Sequence, residues 1–140
     1  MNTAYPDFQD ALYTVCSGAT DTPVSLGYPA GGLKKAHVWI AGSGSIEMSD
    51  GVSGYGQHDE TMTTEIRIKV EKLTNEYAVV RDEACAILSD IVAAMKADVT
   101  LGGVVAFARV TQAIPDEAIP DERTRMFGLV VTVTAQAAVG

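Results

Sequence analysis

A histidine followed by two carboxylates is the first group in this sequence that could carry out acid–base chemistry. His37 and His58 are the only histidines, and Asp59 and Glu60 follow His58 directly. An imidazole supported by a carboxylate can act as a general base near neutral pH. Neither histidine has a cysteine, aspartate or second histidine at a spacing typical of a catalytic or metal-binding pair. We therefore expect His58 to be a solvated loop histidine.

Four carboxylates near the C-terminus form the second candidate group. Asp116, Glu117, Asp121 and Glu122 lie within seven residues, in a tandem repeat of Ile-Pro-Asp-Glu. Their oxygens could bind calcium if the loop curled around one point, but the spacing matches no EF-hand loop. We expect a solvated acidic hairpin tip instead.

The remaining nucleophiles and glycines match no known catalytic pattern. Cys16 and Cys85 are too few and too far apart for a disulfide framework or a zinc site, and Cys85 lies close enough to an apolar stripe to be expected as a small buried residue. The sequence contains no Gly-x-Ser-x-Gly elbow and no phosphate-binding glycine motif. We expect no catalytic residue, no metal ligand and no cofactor.

Composition limits the class of protein. A chain of 140 residues with 47% hydrophobic and 20% charged residues is expected to fold as a single domain over residues 1–140. Its net charge of −8 argues against a nucleic-acid-binding surface. No signal peptide or membrane-spanning segment is recognisable, so we expect a soluble protein made in a reducing cytoplasm.

The first half of the chain is predicted to contain short elements and one long irregular segment. A helix is expected over residues 6–17, a brief strand around Val24 and Leu26, and a strand over residues 36–41. Residues 42–60 are rich in glycine, serine and acids and show no periodicity, which predicts a long loop of the kind that is usually functional or disordered.

The second half shows clear periodicities. Strict alternation predicts a strand over residues 62–73, and an apolar stripe predicts a long helix over residues 75–97, capped by Thr74 or Asn75. Residues 104–114 and 125–138 should pair as a hairpin, with residues 115–124 as its tip. The predicted fold class is α+β: a mainly antiparallel sheet with one long helix packed across it and a short N-terminal helix.

The helix and the turn after it resemble a known family. Residues 81–88 and 94–105, with the turn Asp-x-Thr-Leu-Gly-Gly-x-Val at Asp98, are similar to the corresponding region of phage tail terminator proteins, also called tail-completion or tail-to-head joining proteins. The preceding strand, which begins with an acid, and the closing strand over residues 128–135 fit the same family.

This resemblance implies a non-enzymatic structural protein of the virion, located at the tail–neck region and assembled in the host cytoplasm. Members form a homo-oligomeric ring, usually a hexamer. The ring binds the last ring of tail-tube protein, stops its polymerisation and offers a surface to a neck or head-completion protein. DNA passes through the ring without specific binding, and no membrane is involved.

The resemblance and the two polar segments together predict contact regions rather than an active site. The expected protein-interface residues are Glu47, Asp50, Tyr55, His58, Asp59, Asp116, Glu117, Asp121 and Glu122.

Three alternatives remain open at the level of sequence. The chain could be another ring component of the same assembly, either a tail-tube subunit or a head-completion protein. It could be a small metal-binding or hydrolytic domain that uses His58, Asp59 and the acidic tip. It could also be a soluble α+β adaptor of cellular origin.

Overall fold

The computed structural model describes residues 3–32, 35–50 and 58–139, without the side chains of Asp50 and Asp121. In these residues two helices and five strands follow one another in the order α1 (Tyr5–Ala19), β1 (Val24–Leu26), β2 (Ala36–Asp50), β3 (His58–Leu73), α2 (Tyr77–Ala97), β4 (Phe107–Asp121) and β5 (Thr124–Val139).

The strands form one sheet in the order β1-β2-β3-β5-β4. β1 runs parallel to β2, and every other neighbouring pair is antiparallel. β3 lies in the middle and pairs along its whole length with β5. The predicted α+β class, with a mainly antiparallel sheet, is confirmed.

The core lies between one face of the sheet and the two helices. Ile66, Ile68 and Val70 alternate along β3 and belong to the same buried cluster as Ile87 and Ile91 of α2. Every second residue of β3 is buried up to Val70, as the alternation in the sequence predicts. α2 covers β3, β4 and β5, whereas α1 covers β1 and β2 and also touches α2. Within the described residues, neither helix combines the length and apolarity needed to cross a membrane.

The predicted loop over residues 42–60 is wrong, because most of it is strand. β2 continues to Asp50 and β3 begins at His58, so that the two strands form a long hairpin. A β-bulge shifts the register between Ala41 and Gly44 and interrupts the alternation of side chains. Tyr55 lies outside the described residues.

The predicted tip over residues 115–124 is also mostly strand. β4 extends to Asp121 and leaves Glu122 and Arg123 as the turn. Pro115 and Pro120 are tolerated because β4 is an edge strand. No strand of the described chain lies on its outer side, so no hydrogen bond between strands is lost there when a residue lacks an N–H.

The start of α2 differs from its prediction. The helix begins at Tyr77, and Glu76 is the N-cap residue without a side-chain capping bond. Thr74 accepts the Glu76 N–H at 3.0 Å in a local turn instead. Neither Thr74 nor Asn75 therefore caps the helix directly.

The backbone conformation of the Leu-Gly-Gly turn after α2 explains why two glycines occur there. Leu101, Gly102 and Gly103 all have positive φ angles, of 51°, 72° and 88°. Asp98 accepts the Gly102 N–H at 3.0 Å and Thr100 accepts the Gly103 N–H at 3.1 Å. Two glycines are favoured here because a side chain is strained at positive φ.

Gly44 sits where the bulge brings β2 close to β3, and a Cβ at this position would overlap the Thr63 carbonyl oxygen. We expect Gly44→Ala to lower the free energy of unfolding by about 1–3 kcal/mol, the usual cost of overpacking. Gly42→Ala is the matched control, because a Cβ added to Gly42 would have no other atom within 4 Å. Urea denaturation should separate the two variants; equal stabilities would contradict the described bulge.

The two cysteines differ in accessibility, and the expectation that Cys85 is buried is wrong. Cys16 lies on the buried side of α1 and its burial raises the pKa of its thiol to about 12, whereas Cys85 is exposed. Cys85 follows Ala84 of the buried stripe and therefore points about 100° away from it around the helix.

A thiol reagent should therefore modify one cysteine of the native chain and both cysteines after unfolding. Mass spectrometry identifies the modified residue, and Cys85→Ser should abolish the native reaction. Rapid native modification of Cys16 would contradict the packing of α1.

Candidate assembly surface

A buried carboxylate fixes the N-terminus of α1 to the sheet. Glu60 is 0% exposed, and its Oε1 accepts the Ala4 N–H at 2.7 Å. α1 has no capping bond from the side chain of its own N-cap residue, Ala4. A residue 56 positions away in sequence thus supplies an acceptor for the Ala4 N–H, while Thr3 Oγ1 accepts the next one, from Tyr5, at 3.2 Å.

The surroundings of Glu60 favour its charged form. Burial raises the pKa of the carboxyl group, but the hydrogen bonds from Ala4, Thr3 and His58 together outweigh it and hold the pKa below its usual range. His58 Nε2 lies 3.4 Å from Glu60 Oε2. Both side chains belong to the face of β3 that the helices cover.

The expectation of a solvated His58 is therefore wrong. His58 is only 6% exposed, because it is the first residue of β3 and shares the buried face with Glu60. Asp59 points to the opposite face and is exposed. His58 and Asp59 consequently do not form a catalytic pair.

A second polar cluster stabilises the bulge in β2. The Ala41 carbonyl accepts hydrogen bonds from Gln9 Nε2 at 3.3 Å and Thr64 Oγ1 at 3.2 Å. Gln9 Nε2 also contacts Tyr5 Oη at 3.1 Å. Side chains from α1 and β3 thus satisfy a carbonyl group that the bulge removes from the regular ladder.

The second face of the sheet carries neither helix. Register places one row of Trp39, Arg67, Val130 and Ile114 across it, and a further row of Ser45, Thr63, Thr134 and Arg109. We call this surface the open face. Hydroxyl groups pair along it, with Ser45 Oγ 2.8 Å from Thr63 Oγ1.

The open face carries charges of both signs, with more carboxylates than cations. By register the described side chains of this face include five carboxylates and three cations: Glu47, Asp59, Glu65, Glu71 and Asp116 against Arg67, Lys69 and Arg109. Arg67 pairs with Glu65 at 2.9 Å and Lys69 with Glu71 at 4.0 Å. A depression of about 270 Å³ lies among Trp39, Arg67 and Gly128 and is open to solvent.

The predicted interface residues lie at two opposite ends of the sheet. Glu47 and Asp59 are exposed near the β2–β3 connection, where the backbone of Asp50 pairs with His58. At the other end Asp116, Glu117 and Glu122 are exposed, and the backbone of Asp121 pairs with Thr124. Asp116 is level with Gly128 and Lys69, ten residues from Asp59 along β3, so that these two carboxylates lie roughly 34 Å apart at about 3.4 Å per residue.

No group of three or more histidine, cysteine or acidic side chains close enough to hold a metal ion occurs among the residues that the structure describes. Of the carboxylates of the repeat, those of Asp116 and Glu117 lie on β4 and that of Glu122 lies in the turn after it.

Two features of the sheet edges were not predicted from the sequence. Ile46 and Met48 are exposed apolar residues on β2, and Arg109 is exposed on β4. The alternation Ile46-Glu47-Met48 was the available signal for a strand within the segment interpreted as a loop. Arg109 carries no local pattern that would distinguish it from any surface cation.

The fold is similar to that of a chain in the solved virion of a native gene transfer agent (GTA) particle. The TM-score is 0.56 at 14% sequence identity, and the match covers 92% of this chain and 94% of that chain. At this identity the likeness shows a shared fold. No protein-family model matches the sequence, and no curated protein matches it significantly.

The Glu60 contacts predict a specific pH dependence. Glu60 keeps its charge to lower pH in the folded chain than in the unfolded chain, where the ordinary value is about 4.3. Its contribution to stability is therefore complete above about pH 5 and is lost as the pH falls through the lowered pKa.

We expect Glu60→Gln to lower the free energy of unfolding at pH 7 by about 1–2 kcal/mol, because the charged acceptor is replaced by a neutral one. The difference from the unsubstituted chain should shrink below about pH 4. Asp59→Asn on the exposed side of the same strand is the control. A difference that stays constant from pH 7 to acid would contradict the role of the charge.

Proposed function

We propose that the chain is a non-enzymatic structural protein of a virion that caps a tail tube, ends its polymerisation and contributes to the head–tail joining surface as a ring. The likeness in fold to a chain of a virion, over more than nine tenths of both chains, is the observation that carries the proposal. The sequence resemblance to phage tail terminators supports the more specific role of a cap on the tail tube.

The placement of the predicted contact residues supports a connector. A cap must bind the tube on one side and a neck protein on the other. The β2–β3 end with Asp59 and the β4–β5 end with Asp116, Glu117 and Glu122 lie at opposite ends of the sheet. One rigid sheet would thus present two separate contact surfaces to two partners.

The edges of the sheet support a ring. β4 and the distal part of β2 have no strand on their outer sides within the described chain. A head-to-tail contact between two different edges generates a closed ring when the rotation between copies returns on itself. The chain therefore offers a means of forming a homo-oligomeric ring, which we propose to be a hexamer.

The open face suits a channel for DNA. Its five carboxylates outnumber its three cations, and two of those cations are already paired with carboxylates of β3. A lumen with this charge would repel phosphate groups weakly and let DNA pass without adhering. We propose that the open face lines the ring.

The proposal is tested by mixing the purified chain with tail tubes and imaging the complex by negative-stain electron microscopy. We expect one ring at one end of each tube and no further elongation when tube protein is added. Loss of the gene should give overlong tails without heads. Tubes formed by the chain alone would identify it as a tube subunit, and no binding to tube ends would overturn the proposed cap.

A further inference from the structure

The distal half of β2 forms an unpaired edge with a distinctive pattern. β1 pairs only with Val38, Trp39 and Ile40, so that residues 42–50 have no neighbour on their outer side among the described residues. Ile46 and Met48 are 40% and 50% exposed. Register with Met62 and Glu60 places them on the helix side of the sheet, whereas Glu47 lies on the open face.

The first part of β4 forms the other edge and has the matching pattern. Ala108 and Val110 pair with buried residues of β5 and therefore lie on the helix side, whereas Arg109 lies on the open face. The guanidinium of Arg109 stacks over the Phe107 ring at 5.6 Å. Within the described part of the chain, Arg109 and Glu47 take part in no ion pair.

An apolar depression lies beside this part of β4. It has a volume of about 100 Å³ and is lined by Val92, Val99 and Val110, with Lys96 also contributing. The Val99 carbonyl accepts the Ala108 N–H at 2.7 Å, so that the turn after α2 already covers the outer side of Ala108 and the unpaired edge of β4 begins after this residue. The depression faces the helix side, where an added strand would place its apolar residues.

We infer that the β2 edge of one copy pairs with the β4 edge of the next, with Glu47 bound to Arg109 of the neighbouring copy. Ile46 and Met48 then pack towards the depression beside Val99 and Val110. In β2, Ile46 and Met48 lie on the helix side and the acidic Glu47 lies on the open face. In β4, Ala108 and Val110 lie on the helix side and the basic Arg109 lies on the open face. This inference rests on the proposed function, because it supplies the contact that closes the ring.

Charge favours this head-to-tail contact over a symmetric one. Two β2 edges would bring Glu47 of one copy towards Glu47 of the other, and like charges on adjacent strands destabilise pairing. Two β4 edges paired symmetrically around Arg109 would bring the two Arg109 side chains together, and pairing further along β4 would meet Pro115 and Pro120, which lack an N–H to donate. Of these three pairings, that of β2 with β4 joins opposite charges.

Site-directed disulfide formation tests the contact. In a Cys85→Ser background, which removes the exposed thiol, the Glu47→Cys and Arg109→Cys variants are prepared separately, with Asp116→Cys as a matched control on the same strand and face. Each pair is mixed and oxidised alone and with tail tubes. We expect disulfide dimers from Glu47→Cys with Arg109→Cys, none from either variant alone, and none with Asp116→Cys.

Charge reversal provides an independent test that does not depend on thiols. Glu47→Arg and Arg109→Glu should each weaken self-association by about tenfold or more, and the double variant should recover it. Circular dichroism verifies that each variant is folded, and recovery in the double variant shows that the effect lies in the pair.

The outcomes separate this inference from the proposed function. Rings on tubes without the mixed disulfide, or dimers from Glu47→Cys alone, would overturn the inference and leave the cap intact. Mixed disulfides without binding to tube ends would support the inference and overturn the cap. Neither disulfides nor rings would overturn both.

Discussion

The structure depends on the burial of one face of β3. The middle strand directs Ile66, Ile68 and Val70 towards α2. Their burial determines which face of each neighbouring strand is also buried. The described part of the chain has two helices, and both lie on that side. The opposite face and the sheet edges consequently remain available for contacts with other copies and other proteins.

Two polar clusters extend this arrangement beyond the part of the sheet that α2 covers. Glu60 accepts a hydrogen bond from the start of α1, and Gln9 and Thr64 donate hydrogen bonds to a carbonyl group at the bulge in β2. Buried polar groups of this kind are stable only when their hydrogen bonds are made. Together they hold the β2–β3 hairpin in a defined position relative to α1, which a contact surface requires.

The sequence allowed prediction of the helices and strands that bury one face, because their apolar residues recur with a regular spacing. The alternation around Ile66 and the stripe through Ile87 identified β3 and α2, and the β-branched runs identified the final hairpin. The strand over residues 42–50 was not predicted, because residues 42–49 of β2 are exposed on both faces of the sheet and a bulge interrupts the alternation. The role of Glu60 was not predicted, because its partner is the start of α1, 56 residues away in sequence, which no local pattern reveals.

In the proposed ring, copies of this chain join through sheet edges rather than through the helices. Hydrogen exchange of backbone amides, measured on the free chain and on the chain bound to tail tubes, distinguishes these two kinds of contact. We expect new protection in residues 42–50 and along β4, with the amides of α1 and α2 unchanged. New protection confined to the helices, with both edges still exchanging freely, would rule out joining through the edges.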